Sequence, residues 1–179
     1  MRRFALALAL AMTAPSALLA QETGTTPSPT SLAGDIVAAT GDQLGSVSVT
    51  ELANGVVHLI IQATDIPPGP HGMRLHEVGT CEGDFSSAEG PITGSGADDL
   101  GAENLHAGDL PNAYVEDDGV LSMEAFALPD LTMAMLTDDD GAALIIHADR
   151  RDFGLTSPDD AGARLACAVL DAIPAAEEN

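Results

Sequence analysis

The segment 46–63, SVSVTELANGVVHLIIQA, leaves little choice of local structure. Strict alternation puts Val47 and Val49 on one face and Ser46, Ser48 and Thr50 on the other, which is the period of a half-buried strand. Asn54-Gly55 supplies the positive backbone angles of a tight hairpin turn, and the β-branched run VVHLIIQA (56–63) is its partner. The strands at 46–51 and 56–63 are therefore expected to pair antiparallel. The same grammar recurs: Asp118-Gly119 and Asp140-Gly141 punctuate VLSMEAFAL (120–128) and AALIIHA (142–148), and Ala163–Leu170 closes the series. No segment holds a helical period with caps. Many short strands between Gly, Pro and Asp turns argue for an all-β sandwich or barrel with Greek-key connections. Two long irregular stretches, Glu82–Leu105 and Asp149–Gly162, are unusual in a small domain and read as functional loops. With aromatic residues at 3%, the core has to be built from Val, Ile, Leu, Ala and Met.

The chain ends read differently. MRRFALALALAMTAPSALLA (1–20) has a basic start, a short apolar run and small residues before Ala20, the pattern of a secretory signal peptide. The run is too short to span a bilayer. Export to a periplasm or to the outside is expected, and with no cysteine following the small residues a lipid anchor is not indicated. Residues 21–34 read as a flexible Thr/Ser/Pro/Gly leader, 35–174 as one domain, and 175–179 as an acidic tail. The chain carries a formal charge of −22 and has no lysine. Such a surface repels nucleic acid and anionic lipid and suits solubility or a cationic partner. In an exported chain, Cys81 and Cys167 default to one intrachain disulfide, restricting the unfolded chain by roughly 4 kcal/mol.

The histidines carry the chemistry. In HGMRLHEVGTC (71–81), strand alternation places Arg74 and His76 on one face and Met73 and Leu75 on the other. Two imidazoles at that spacing could share a metal ion, but a guanidinium has no lone pair to give. His58, inside VVHLIIQA, has no companion motif and reads as a packed or surface strand residue.

Four motifs, GPHGMRLHEVGTC (69–81), LHAGDLPN (105–112), LIIHAD (144–149) and GARLACAVL (162–170), in this order resemble the copper/zinc superoxide dismutases of bacterial periplasmic type. The resemblance implies a flattened eight-stranded Greek-key barrel with two long functional loops, a redox-cycling copper ion, and a zinc ion bracing the loops. It also implies a Cys81–Cys167 disulfide and a role for Arg164 in guiding superoxide. Carried over residue by residue, the copper positions hold Arg74, His76 and His147, so one of the paired histidines is replaced. The bridging histidine and a zinc histidine should follow FSSA (85–88), but the chain reads EGPITGSG (89–96). No histidine lies between His76 and His106. His106 and Asp109 are the residual zinc-type ligands. His71 matches a histidine that supports the site by hydrogen bonding, and Arg151 stands where an orienting aspartate is usual.

Copper in this chemistry needs several neutral imidazoles, and zinc a closed set of four ligands. A guanidinium ~4 Å from a divalent ion repels it by several kcal/mol at an effective dielectric near 20. Arg74 and Arg151 are therefore expected to replace the metal's charge by pairing with Asp109, Asp152 or other loop carboxylates; the alternative is that both point to solvent. Copper and zinc are the cofactors that the resemblance implies, and a chain binding neither is left open. Three functions follow: an exported family member without dismutase turnover that binds or supports other molecules; an active dismutase using His76, His147 and a helper; or a copper-binding protein with nearby Met73. Arg74, Arg150, Arg151 and Arg164 all fall at the expected active-site face, where a small anion such as superoxide would be drawn. A homodimer is allowed, through a face that the sequence does not specify.

Overall fold

The computed structural model describes residues 31–94, 105–152 and 161–173. The signal-peptide reading, the leader up to residue 30, the acidic tail and the centres of both long loops lie outside the described residues. Nine strands are formed: β1 (Ser31–Ala38), β2 (Gln43–Glu51), β3 (Val57–Ala63), β4 (Gly69–His76), β5 (Asp109–Val115), β6 (Leu121–Phe126), β7 (Ala143–His147), β8 (Arg164–Val169) and the two-residue β9 (Asp171–Ala172).

All ladders are antiparallel, in the order β5-β4-β7-β8-β1-β2-β3-β6, with β9 on β1. The ends of this path, β5 and β6, lie against each other without a ladder, which makes a nearly closed eight-stranded barrel. The connections β3 to β4 and β6 to β7 cross between non-neighbouring strands, as in a Greek key. The β2–β3 hairpin is in the expected register, with Val47 opposite Ile61 and Val49 opposite Leu59, all four buried.

One boundary is corrected. β1 begins at Ser31, inside the stretch read as leader, and Ser31 to Gly34 pair with Thr50 to Val47 of β2. Only Leu32 among these residues is a large apolar side chain, and it is buried. Gly34 is required because any Cβ there would collide with the Val169 carbonyl. Helix is confined to one four-residue turn, α1 (Met133–Leu136), and a 3-10 turn at Ser86–Ala88, both too short to show a period in sequence.

Burial is what positions the site. All five residues of β7 are buried, because both of its faces are covered. Leu144 and Ile146 join the barrel core, while Ala143 and Ile145 pack with Phe85, Ala88 and Cys167 in a second, smaller cluster beneath the loop that follows β4. Each such aliphatic side chain contributes on the order of 1.5–3 kcal/mol on burial.

Candidate metal centre

Strand β4 alternates as its sequence demands, with Met73 and Leu75 in the barrel core and Arg74 and His76 on the outer face. That outer face is nevertheless closed: Arg74 is 3% and His76 1% exposed. The cover is backbone-bonded. Leu75 N–H donates to the Gly108 carbonyl at 2.8 Å, Ile92 N–H to the Leu75 carbonyl at 3.0 Å, and Glu77 N–H to the Gly90 carbonyl at 3.0 Å. Gly108 permits this approach, since a Cβ there would strike the Leu75 carbonyl. An isolated bridge pairs His76 with Pro91, the segment where the bridging histidine was sought. Met73 faces away from His76, which removes it as a helper ligand.

His76 and His147 are brought together, their ring centroids 5.9 Å apart and their planes 32° from parallel. His76 Nδ1 donates to the Glu89 carbonyl at 2.8 Å and His147 Nδ1 to the Gly162 carbonyl at 3.5 Å. With the proton on Nδ1, each Nε2 keeps its lone pair, and both Nε2 atoms are buried with no hydrogen-bond partner. Burial is the main reason that His76 is lowered to about 3, with Arg164, His147 and Arg74 pushing the same way against the Glu89 hydrogen bond. Burial likewise lowers His147 to about 4, aided by Arg74, Arg164 and Arg151. Both rings are neutral at ordinary pH.

Asp109 lies opposite Arg74 in the β4–β5 register. Arg74 Nε donates to Asp109 Oδ1 at 3.1 Å, Arg151 Nη1 pairs with Asp109 Oδ2, and the His106 N–H donates to Asp109 Oδ2 at 2.8 Å. His106 Nδ1 is 3.7 Å from the same oxygen. Arg151 is held by Asn112, whose side-chain amide takes the Arg151 N–H and gives to the Arg151 carbonyl, each at 2.8 Å. Both arginines are 3% exposed, so the solvent-facing alternative fails.

His71 is strapped by both nitrogens, Nδ1 to the His147 carbonyl at 2.8 Å and Nε2 to the Pro67 carbonyl at 2.7 Å, and so has none to offer a metal. Arg164 donates from Nη1 to the Phe85 carbonyl and from Nη2 to the Glu89 carbonyl at 2.7 Å. The Glu89 oxygen thus receives both His76 and Arg164. Phe85 and Glu89 deliver these carbonyls from positive φ, 66° and 58°. The Cys81–Cys167 disulfide, with Cα atoms 5.8 Å apart, ties this loop to β8. His58 lies elsewhere, bonded to Glu124 at 2.7 Å and packed on Phe126.

The donor set does not fit the two metals in four-ligand form. Among the described residues no three His, Cys, Asp or Glu side chains converge as a metal would need. Asp109, the zinc-type carboxylate, has both oxygens committed to guanidinium groups, and only two imidazole nitrogens remain for copper beside a fixed cation. Two residues that organise the site escaped sequence reasoning. Asn112 lay within a quoted motif but gave no sign of its partner, and Glu89 gave no local signal at all.

The copper/zinc superoxide dismutase family model matches residues 43–170. The chain is 34% identical to a copper/zinc superoxide dismutase of Caulobacter vibrioides over 144 residues, 75% of this chain and 82% of the relative. It is also 34% identical to the superoxide dismutase-like protein YojM of Bacillus subtilis over 141 residues, 73% of this chain and 70% of that one. Among solved structures, a dismutase-like protein from Bacillus subtilis superposes with a TM-score of 0.65 at 27% identity, over 79% of this chain and 97% of the other. The copper/zinc superoxide dismutase from Brucella abortus gives 0.62 at 27%, over 78% and 98%. A variant of the Bacillus protein with a tyrosine and a proline each changed to histidine has also been solved.

Proposed function

Because the chain belongs to the copper/zinc superoxide dismutase family, we propose that it is an exported member without dismutase turnover, acting as a binding or structural protein on an intact barrel. The observation that carries this reading is the buried Arg74–Asp109–Arg151 triad: one former ligand is neutralised by two fixed cations, which clamp β4, β5 and the loop after β7. Charge-assisted bonds of this kind hold loops without an ion. The dismutase-like naming of the Bacillus relative supports the reading.

The test is metal analysis of the purified protein after incubation with copper(II) and zinc(II), together with direct measurement of superoxide decay. Neither stoichiometric divalent metal nor turnover is expected; stoichiometric copper(II) with fast superoxide consumption would overturn the proposal in favour of an active dismutase. The bridge between Pro91 and His76 puts their side chains on one face, so Arg74→His with Pro91→His is the restoring pair. It is expected to gain copper(II). Export is checked by N-terminal sequencing of the secreted protein, which should begin after Ala20.

A further inference from the structure

We propose that His76 and His147 form a two-coordinate site for a soft monovalent d10 cation, cuprous copper or its silver analogue, and that Arg74 excludes divalent ions from it. The inference rests on the reading above that the four-ligand centres are lost, and it concerns what the remaining two imidazoles can still do.

Two buried side chains, 1% and 5% exposed, each leave Nε2 without a partner. A buried acceptor in that state is costly unless something occupies it. Their Nδ1 atoms are bonded to the Glu89 and Gly162 carbonyls, which fixes the tautomer that presents Nε2 as a ligand. With metal–nitrogen bonds of about 2 Å, two imidazoles sharing an ion in line have centroids about 6 Å apart, whereas a tetrahedral angle draws them to about 5 Å. The observed 5.9 Å matches the linear case, which monovalent d10 ions accept and zinc or copper(II) does not. Charge selects the same way. Arg74 shares the outer face of β4 with His76, and Arg164 lies opposite His147 in the β7–β8 register. A divalent ion meets twice the repulsion from these cations that a monovalent one meets.

The test is an anaerobic competition titration of the purified chain with copper(I) against a chromogenic chelator, repeated with silver(I), copper(II) and zinc(II), with X-ray absorption of the copper(I) form. One copper(I) or silver(I) per chain, with two nitrogen neighbours, is expected. His147→Gln should weaken it by more than about 100-fold, beyond the cost of losing an outer-shell partner. Arg74→Leu should keep copper(I) and raise copper(II) affinity. If a variant fails to fold, silver(I) added to the unmodified protein should perturb the NMR signals of the His76 and His147 rings and no other histidine. Absence of copper(I) uptake, three or more donors, or equal uptake of zinc(II) overturns this site while leaving the loss of dismutase turnover standing. Superoxide turnover would instead overturn the underlying reading.

Discussion

Replacing Asp109 by asparagine changes a few atoms and removes the only carboxylate known to face both Arg74 and Arg151. The carboxyl is buried, accepts from Arg74 Nε, Arg151 Nη1 and the His106 N–H, and sits where water does not screen the two cations. The amide keeps the shape and loses the charge, so two guanidinium groups remain buried without it. Breaking a buried ion pair from one side costs about 3–5 kcal/mol. Removing one arginine is milder, since a one-to-one pair survives, and the lost charge-assisted bond is worth about 1.5–3 kcal/mol. Replacing all three residues with leucine should come back close to the parent, because a buried ionic triad contributes little beyond a well-packed apolar one. The assay is urea unfolding followed by circular dichroism with a chelator present throughout. A loss under about 1 kcal/mol for Asp109→Asn, or a larger loss for Arg151→Leu than for Asp109→Asn, would refute the charge-replacement argument.

Other outcomes are as specific. In metal-free protein, His76 and His147 are lowered from 6.5 by burial, so the unfolded chain takes up protons first. Their stabilising contribution is complete above about pH 6.5 and lost as pH falls toward 4 and 3, by up to about 2.7 kcal/mol per pH unit while both differ. This slope should shrink in the double glutamine variant; an unchanged slope would show that the rings are not desolvated. Opening the disulfide by Cys81→Ser with Cys167→Ser frees a loop of separation 86 and should cost about 4 kcal/mol by urea unfolding. Glu89 is exposed and adopts φ 58°, ψ −140°, a region that glycine enters freely. Glu89→Gly should therefore raise stability by about 1 kcal/mol, and a fall in Tm would contradict the strain.

What could be read in the sequence was whatever alternation encodes. The β2–β3 hairpin was legible because one of its faces is wet, so Val47 and Val49 stand out against serine and threonine. Strand β1 was hidden because 31–34 offers one large apolar side chain among small and polar neighbours, and its pairing is decided by the close approach of Gly34 to Val169. On β4 the opposing faces were legible, but the burial of Arg74 was not, since it depends on loop segments around Ile92 and Gly108 far along the chain. Asp109 could be named as a partner from its motif. The roles of Asn112 and of the Glu89 carbonyl are set by backbone geometry, which side-chain chemistry does not announce.

The triad also orders how descendants of this chain can diverge. Either arginine can be exchanged while the other still neutralises Asp109, but Asp109 cannot leave while any arginine stays. Drift is therefore expected first at 74 or 151 and last at 109, and a lineage returning toward a ligand-bearing pocket would have to shed its cations before it could alter the acid that once served a metal.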